Sequence, residues 1–129
     1  MKKLMLVLML ALVSTSAMAE WTLVDWNDEL SAFINNETIR KDGDKVKVWT
    51  LLNYNSIQGE GKYKYKSQKT QHQYDCKKEQ FRIIASITYS EKMGEGNNSS
   101  IFNSSNDEWN PIPPDSIVEN SYKIACGKK

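Results

Sequence analysis

Short runs of alternating hydrophobic and polar residues follow one another along most of the chain, which predicts β-strands separated by frequent turns. The clearest run covers residues 45–54 and predicts a strand with two distinct faces. One face is predicted to bear Val46, Val48, Thr50, Leu52 and Tyr54. The other is predicted to bear Lys45, Lys47, Trp49, Leu51 and Asn53. Asp42, Gly43 and Asp44 predict a turn before this strand, in which Gly43 supplies the positive φ that a tight hairpin requires.

The same pattern predicts the remaining strands, which cover residues 21–26, 31–35, 37–41, 62–70, 80–90 and 99–104. The first is predicted to place Trp21 and Leu23 on one face, and Val24 and Trp26 on the other. The inward face of 80–90 is predicted to carry Phe81, Ile83, Ala85, Ile87 and Tyr89, with Ile84 interrupting the alternation. In 99–104, either Ile101 or Phe102 is expected to be buried.

The end of the chain has a helical pattern. Ser116 and Glu119 fit a capping box, and Val118, Tyr122 and Ala125 recur at helical spacing before Gly127. The predicted fold class is therefore α+β and mostly β, an antiparallel sheet of about six strands followed by a short C-terminal helix.

The first nineteen residues have the composition of a secretory signal peptide. Two lysines precede ten apolar residues (4–13), a run shorter than the roughly 20 that span a membrane. The small residues Ala17 and Ala19 then form a cleavage site. We expect residues 1–19 to be removed and residues 20–129 to form a single domain. Glu20 follows the cleavage point where a lipoprotein has cysteine, so we expect a released product, periplasmic or secreted.

Composition excludes several classes of function. Loss of the two N-terminal lysines changes the formal net charge from +1 to −1, which gives no general attraction to nucleic acid. We predict no nucleic-acid partner, and no membrane span after residue 19.

The two cysteines, Cys76 and Cys126, both lie in the predicted mature chain. In an oxidising compartment a single pair is most simply a disulfide, here closing a loop of about 50 residues. A metal pair or a catalytic thiol is the alternative. A metal site would have to recruit the single histidine, His72, at no recognisable spacing.

Motifs for catalysis are missing from the sequence. It contains no Gly-x-Ser-x-Gly elbow, no His-Glu-x-x-His and no phosphate-binding loop. His72 is predicted to be a solvent-exposed strand residue whose ordinary pKa would let it sense acid. We therefore predict a protein that is not an enzyme and that needs no cofactor and no metal.

One segment is a candidate binding surface. Residues 62–66 alternate lysine and tyrosine, so a strand would place Lys62, Lys64 and Lys66 on one face and both tyrosines on the other. These lysines could either dock an acidic glycan or protein, or keep an edge strand from aggregating. Most of the four tryptophans are expected in the core, with Trp26 or Trp109 as exposed anchors of an interface.

Several segments together resemble the surface-adhesin protein E family of Gram-negative bacteria. They are Trp21, the hairpin 38–43 leading into 46–49, Ser67 followed by Asp75 and Cys76, the segment 109–116, and Cys126. The resemblance implies a twisted antiparallel sheet packed with a helix, one disulfide, export, and binding to host extracellular-matrix and plasma proteins.

Two functional classes follow from these observations. The first is an envelope binding module of the adhesin E type, whose partner is a protein or a glycan, or a second copy of the chain in a homodimer. The second is a soluble periplasmic inhibitor, for instance of a host lysozyme, or an envelope accessory protein.

Overall fold

The computed structural model describes residues 20–103 and 108–128. The predicted signal peptide, residues 1–19, lies outside the described residues, as does Ser104 at the end of the last predicted strand. Within the described part of the chain, no helix is long and apolar enough to cross a membrane.

One antiparallel sheet dominates the fold. Its strands are β1 (Thr22–Trp26), β2 (Leu30–Asp42), β3 (Lys45–Gln58), β4 (Tyr65–Asp75), β5 (Gln80–Tyr89), β6 (Asn98–Asn103) and β7 (Asn110–Pro111). The first six strands pair in sequence order, and β7 pairs with β5. The helix α1 (Ile117–Ala125) follows. The predicted α+β class with a predominant antiparallel sheet is confirmed.

Hairpin connections explain this simple order, because neighbouring antiparallel strands can be joined by very short turns. Gly43 has a φ of +62° in the turn between β2 and β3, as the sequence predicted. The two strands predicted over 31–35 and 37–41 are one strand, β2. Its pairing with β3 is irregular between Asn35 and Arg40, which is where the sequence pattern breaks.

The core lies between the sheet and α1. Its buried members are Ile34, Val46, Val48, Tyr74, Tyr122 and Ala125. The predicted grouping of Val46, Val48 and Thr50 on one face of β3 is confirmed, and this face is turned to the core, since Val46 and Val48 are almost fully buried and Thr50 is 5% exposed. We call this side of the sheet the helix face.

A β-bulge in β5 corrects the predicted inward face of that strand. Gln71 pairs with Ala85 while His72 pairs with Ile83, so Ile84 is an extra residue without a partner in β4. The bulge reverses the alternation. Phe81 and Ile83 therefore lie on the helix face, whereas Ala85, Ile87 and Tyr89 lie on the opposite face.

The outer strand β6 also differs from the prediction. We expected either Ile101 or Phe102 to be buried, yet their exposed fractions are 61% and 55%. The reason is topological, because β6 pairs only with β5 and forms an edge of the sheet.

The predicted N-terminal cap of the helix is confirmed, because the Ser116 side chain makes the capping hydrogen bond. Ser116 is the N-cap, and its Oγ accepts from the backbone N–H of Glu119 at 3.1 Å. The reciprocal bond of a capping box is displaced by one residue, because Glu119 Oε1 accepts from the N–H of Asp115 at 3.4 Å. Gly127 follows the helix with a φ of +67°.

The predicted disulfide is present. It joins Cys76, in the turn between β4 and β5, to Cys126 at the end of α1, with 5.7 Å between the Cα atoms. Tyr122 Oη and Lys128 Nζ both donate to the carbonyl oxygen of Cys76, at 3.2 Å and 2.7 Å. The C-terminal helix is therefore held to the sheet by covalent and polar contacts at the same point.

Candidate functional site

The sheet has one covered face and one that the helix leaves uncovered. We call the second one the open face and define it by Trp49, Leu51, Lys69, Ala85 and Ile87, which are cross-strand neighbours on β3, β4 and β5. Leu51 is fully buried there. Cover on this face comes from the chain before β1 and from the loop after β5, not from α1.

All four tryptophans lie on the open face or at its margin. Trp49 belongs to β3, and Trp21 lines the same cavity from the start of the described chain. Trp26 pairs with Ser31, on the open face, because the pairing of β1 and β2 is irregular between Leu23 and Asp25. Trp109 contacts Arg82, whose cross-strand partner Gln73 is also on this face.

This placement corrects the expectation that most tryptophans are core residues. None of the four belongs to the buried core cluster, and Trp26 is 68% exposed. The same irregularity overturns the predicted faces of the first strand, since Leu23 and Trp26 share the open face. The core is filled by aliphatic side chains and two tyrosines instead.

A cavity of about 290 Å³ opens at the middle of the open face. It is lined by Glu20, Trp21, Asn35, Thr38, Trp49, Lys69 and Ile87. A chain of hydrogen bonds fixes one wall. The Trp49 backbone N–H donates to Thr38 Oγ1 at 2.9 Å, and that hydroxyl donates to the carbonyl oxygen of Asn35 at 2.7 Å. The irregular part of β2 is thereby fixed beside Trp49.

Lys69 lies between aromatic rings in this cavity. Its Nζ is 5.7 Å from the ring centroid of Trp21 and 5.0 Å from that of Tyr89, within the range of cation–π attraction. Gly94 leaves room for it, because a Cβ there would lie 2.5 Å from Lys69 Cε. Among the described residues, no carboxylate comes within 4 Å of this ammonium group.

The loop after β5 holds the neighbouring wall in place. Ser67 Oγ donates to the carbonyl oxygen of Glu91 at 2.6 Å and accepts from the N–H of Gly94 at 2.9 Å. The N–H of Met93 donates to Asn53 Oδ1 at 2.9 Å, and Met93 has a φ of +61°. These contacts hold the turn after β5, with its left-handed residue Met93, against the open face.

Arg82 and Trp109 form a second aromatic–cation contact on the open face. The guanidinium carbon of Arg82 is 4.7 Å from the Trp109 ring centroid, and Arg82 Nε donates to Gln73 Oε1 at 2.8 Å. Trp109 is only half-buried. The prediction that it contacts a partner stays a prediction, with one face of its ring already against Arg82.

The predicted strand face shared by Lys62, Lys64 and Lys66 does not form. Residues Gly61–Tyr63 form a 3₁₀ turn and β4 begins only at Tyr65, so Lys62 and Lys64 do not lie on a strand face with Lys66. The cause is Gly61, whose φ of +58° interrupts the extended chain. Lys66 Nζ lies 3.7 Å from a carboxylate oxygen of Glu91.

The two tyrosines of that segment also differ from each other. Tyr65 packs edge-on against Tyr54, with 5.8 Å between ring centroids, whereas Tyr63 is 55% exposed. Trp109 contacts Arg82, whose partner on β4 is Gln73. Gln73 lies about 23 Å along β4 from Lys66, at 3.3 Å per residue. The structure therefore does not unite the three lysines and Trp109 in one site, and their role in binding stays a prediction.

His72 corrects another prediction, because it lies on the helix face and not in solvent. Its Nδ1 is 3.3 Å from Thr50 Oγ1, and its ring stacks on Tyr74 with 5.7 Å between centroids. It lines a cavity of about 220 Å³ that also contacts Ile83, Ile117 and Val118. Burial lowers the pKa of His72 from 6.5 to about 4.

We expect this histidine to make the fold sensitive to acid. Unfolded chains bind a proton on His72 below about pH 6.5, while the folded chain does so only near pH 4. The free energy of unfolding should therefore fall as pH decreases from about 6.5 to 4, by about 3 kcal/mol in total. Denaturant titrations of the parent and of His72→Gln across this range would measure the difference between them.

Since His72 is the only histidine in the sequence, one-dimensional proton NMR gives an independent check. Its ring resonances should titrate near pH 4. A midpoint near 6.5, or an unchanged pH dependence of stability in His72→Gln, would contradict the burial of this side chain.

Sequence reasoning missed the residues that form the central cavity. The position of Lys69 between two aromatic rings could not be predicted from the sequence, because Trp21 and Tyr89 are distant from it along the chain. For Trp49 and Leu51 the sequence did predict a shared face, since they alternate in phase with Lys47 along residues 45–54. Within residues 20–103 and 108–128, no group of three or more His, Cys, Asp or Glu side chains could hold a metal ion.

Comparisons with known proteins agree with this architecture. The family model described as surface-adhesin protein E matches residues 21–127. The structure of Haemophilus influenzae protein E is similar with a TM-score of 0.63 and 17% identity, covering 88% of each chain. Protein E from non-typeable Haemophilus influenzae matches with a TM-score of 0.56 and 16% identity, over 88% of this chain and 79% of that one. No curated relative matches the sequence.

Proposed function

Because the chain belongs to the surface-adhesin protein E family, we propose that it is an exported binding protein that contacts an extracellular-matrix protein of a host through its open face. In this proposal residues 1–19 are removed on export to the periplasm or beyond. The mature protein acts by binding its partner and not by catalysing a reaction. The observation that carries the proposal is the collection of all four tryptophans on the face that the helix leaves uncovered.

Composition of the open face supports a contact role. Tryptophan and arginine are enriched at the energetic centres of protein interfaces, and exposed Leu23 and Trp26 add apolar area at the margin. Lys47 and Lys69 lie on this face without a carboxylate within 4 Å among the described residues. Their unpaired charges favour an acidic partner surface.

The proposal is tested by comparing two double variants with the parent. Leu23→Ser with Trp26→Ser removes exposed apolar side chains from the open face, and Phe102→Ser with Ile124→Ser removes similar ones from the helix side of the molecule. We expect the first pair to weaken binding to immobilised purified matrix proteins by tenfold or more, and the control pair to bind as the parent does. All three proteins should melt alike, since these side chains are exposed.

Two results would overturn the proposal. One is that the parent binds no matrix protein but captures lysozyme or an envelope protein, which would favour the soluble inhibitor. The other is parent-like binding by the open-face variant. Sedimentation of the parent alone shows whether a second copy covers this face, in which case matrix binding and self-association should compete.

A further inference from the structure

We propose that the cavity lined by Trp21, Trp49 and Lys69 binds a single carboxylated sugar ring, of the uronic or sialic acid type. The inference deepens the proposed function, on which it rests, by naming the chemistry of a glycan that the matrix partner would carry. The proposed function involves the whole open face, whereas the sugar site is one small pocket on that face.

The size of the cavity favours a single ring. Its volume of about 290 Å³ is just below the roughly 300–1,000 Å³ that pockets for drug-sized molecules occupy. A flat protein surface would contact the margin at Trp26 and Trp109 without filling this depression. One sugar residue at the end of a chain would enter it.

The walls of the cavity favour a sugar over a purely apolar ligand. Indole rings present a face of partial negative charge, to which the weakly positive C–H groups of a pyranose ring are attracted. Trp21 and Trp49 supply such rings, and Ile87 completes an apolar lining. Asn35 accepts from the N–H of Glu37 through Oδ1 at 3.1 Å, which leaves its amide nitrogen as a donor for a hydroxyl.

The charges specify a carboxylate. The ammonium group of Lys69, held between Trp21 and Tyr89, has no anionic partner within 4 Å among the described residues. A ligand carboxylate would supply that partner through a charge-assisted hydrogen bond. Glu20 also lines the cavity, where its carboxylate can accept from sugar hydroxyls and repels a dianion such as a phosphate more strongly than a ligand with one negative charge. A sugar with one negative charge satisfies both groups.

The test uses matched ligands on the purified protein beginning at Glu20. Methyl glucuronide and methyl glucoside differ at one carbon, which carries a carboxylate in the first and a hydroxymethyl group in the second. The methyl glycoside of N-acetylneuraminic acid represents the sialic type. Titrations followed by tryptophan fluorescence and NMR should show at least one acidic glycoside binding tenfold or more tightly than methyl glucoside. The tighter of the two identifies the sugar type.

Matched variants locate the site. Lys69→Met keeps the apolar stem and removes the charge, so it should abolish the preference for the acidic glycoside. Lys77→Met removes an exposed lysine from the turn between β4 and β5, outside the cavity, and should bind as the parent does. Trp21→Leu removes one ring wall before β1 and should weaken both glycosides, which keeps the test decisive if Lys69→Met fails to fold.

Several results would overturn the inference. They are equal binding of acidic and neutral glycosides, parent-like binding by folded Lys69→Met, equal binding of acetate alone, or no binding of any glycoside. Any of these results with matrix binding intact would overturn this inference but not the proposed function. Sugar binding without binding to any matrix protein would overturn the proposed function but not the sugar site.

Discussion

Removal of the Cys76–Cys126 disulfide is expected to lower the free energy of unfolding by about 4 kcal/mol. The bond closes a loop of 50 residues, and the cost of unfolding such a chain rises because the closed loop restricts the unfolded state. For a domain whose total stability is about 5–15 kcal/mol this is a large fraction. The melting temperature should fall by roughly 15 °C.

The measurement compares the oxidised parent with the double variant Cys76→Ala, Cys126→Ala, by thermal melting and denaturant titration. Reduction of the parent is the matched control and should give nearly the same loss. The native parent should contain no titratable thiol. A double variant that melts within 2–3 °C of the parent, about 1 kcal/mol or less, would show that the core alone holds α1 to the sheet.

Tyr74→Ala is expected to have an effect of similar size, about 3–5 kcal/mol. Tyr74 is fully buried on the helix face, and its ring centroid lies 5.7 Å from those of His72 and Tyr122. Its hydroxyl donates to the carbonyl oxygen of Val118 at 3.4 Å. Truncation would leave a cavity directly under α1, and surrounding side chains fill such cavities only partly.

Tyr63→Ala is the matched control, because it removes the same side chain from a site that is 55% exposed. We expect it to change stability by about 0.5 kcal/mol or less. The alternation of residues 62–66 predicted that Tyr63 shares a strand face with Tyr65, so the control also tests the corrected geometry. Similar losses for both variants in denaturant titrations would contradict the burial difference.

The sequence by itself determined the features that depend on neighbouring residues or on composition. Alternation over 45–54 assigned both faces of β3, because the side chains of a strand alternate strictly. Gly43 placed a hairpin and Ser116 placed the start of α1, since each acts on the backbone within a few residues. The cysteine pair, and the segments shared with the adhesin E family, predicted the disulfide and the fold class.

Only the tertiary structure decided which residues share a surface. The sequence marked Ile84 as an interruption of the alternation in β5, but only the pairing with β4 shows that it is an extra residue that reverses the faces. The docking of α1 on one face partly buried His72 and left the other face with Trp49 and Lys69. A strand presents its side chains in the same way whichever face is later covered, so the packing of distant elements, and not local periodicity, formed the candidate site.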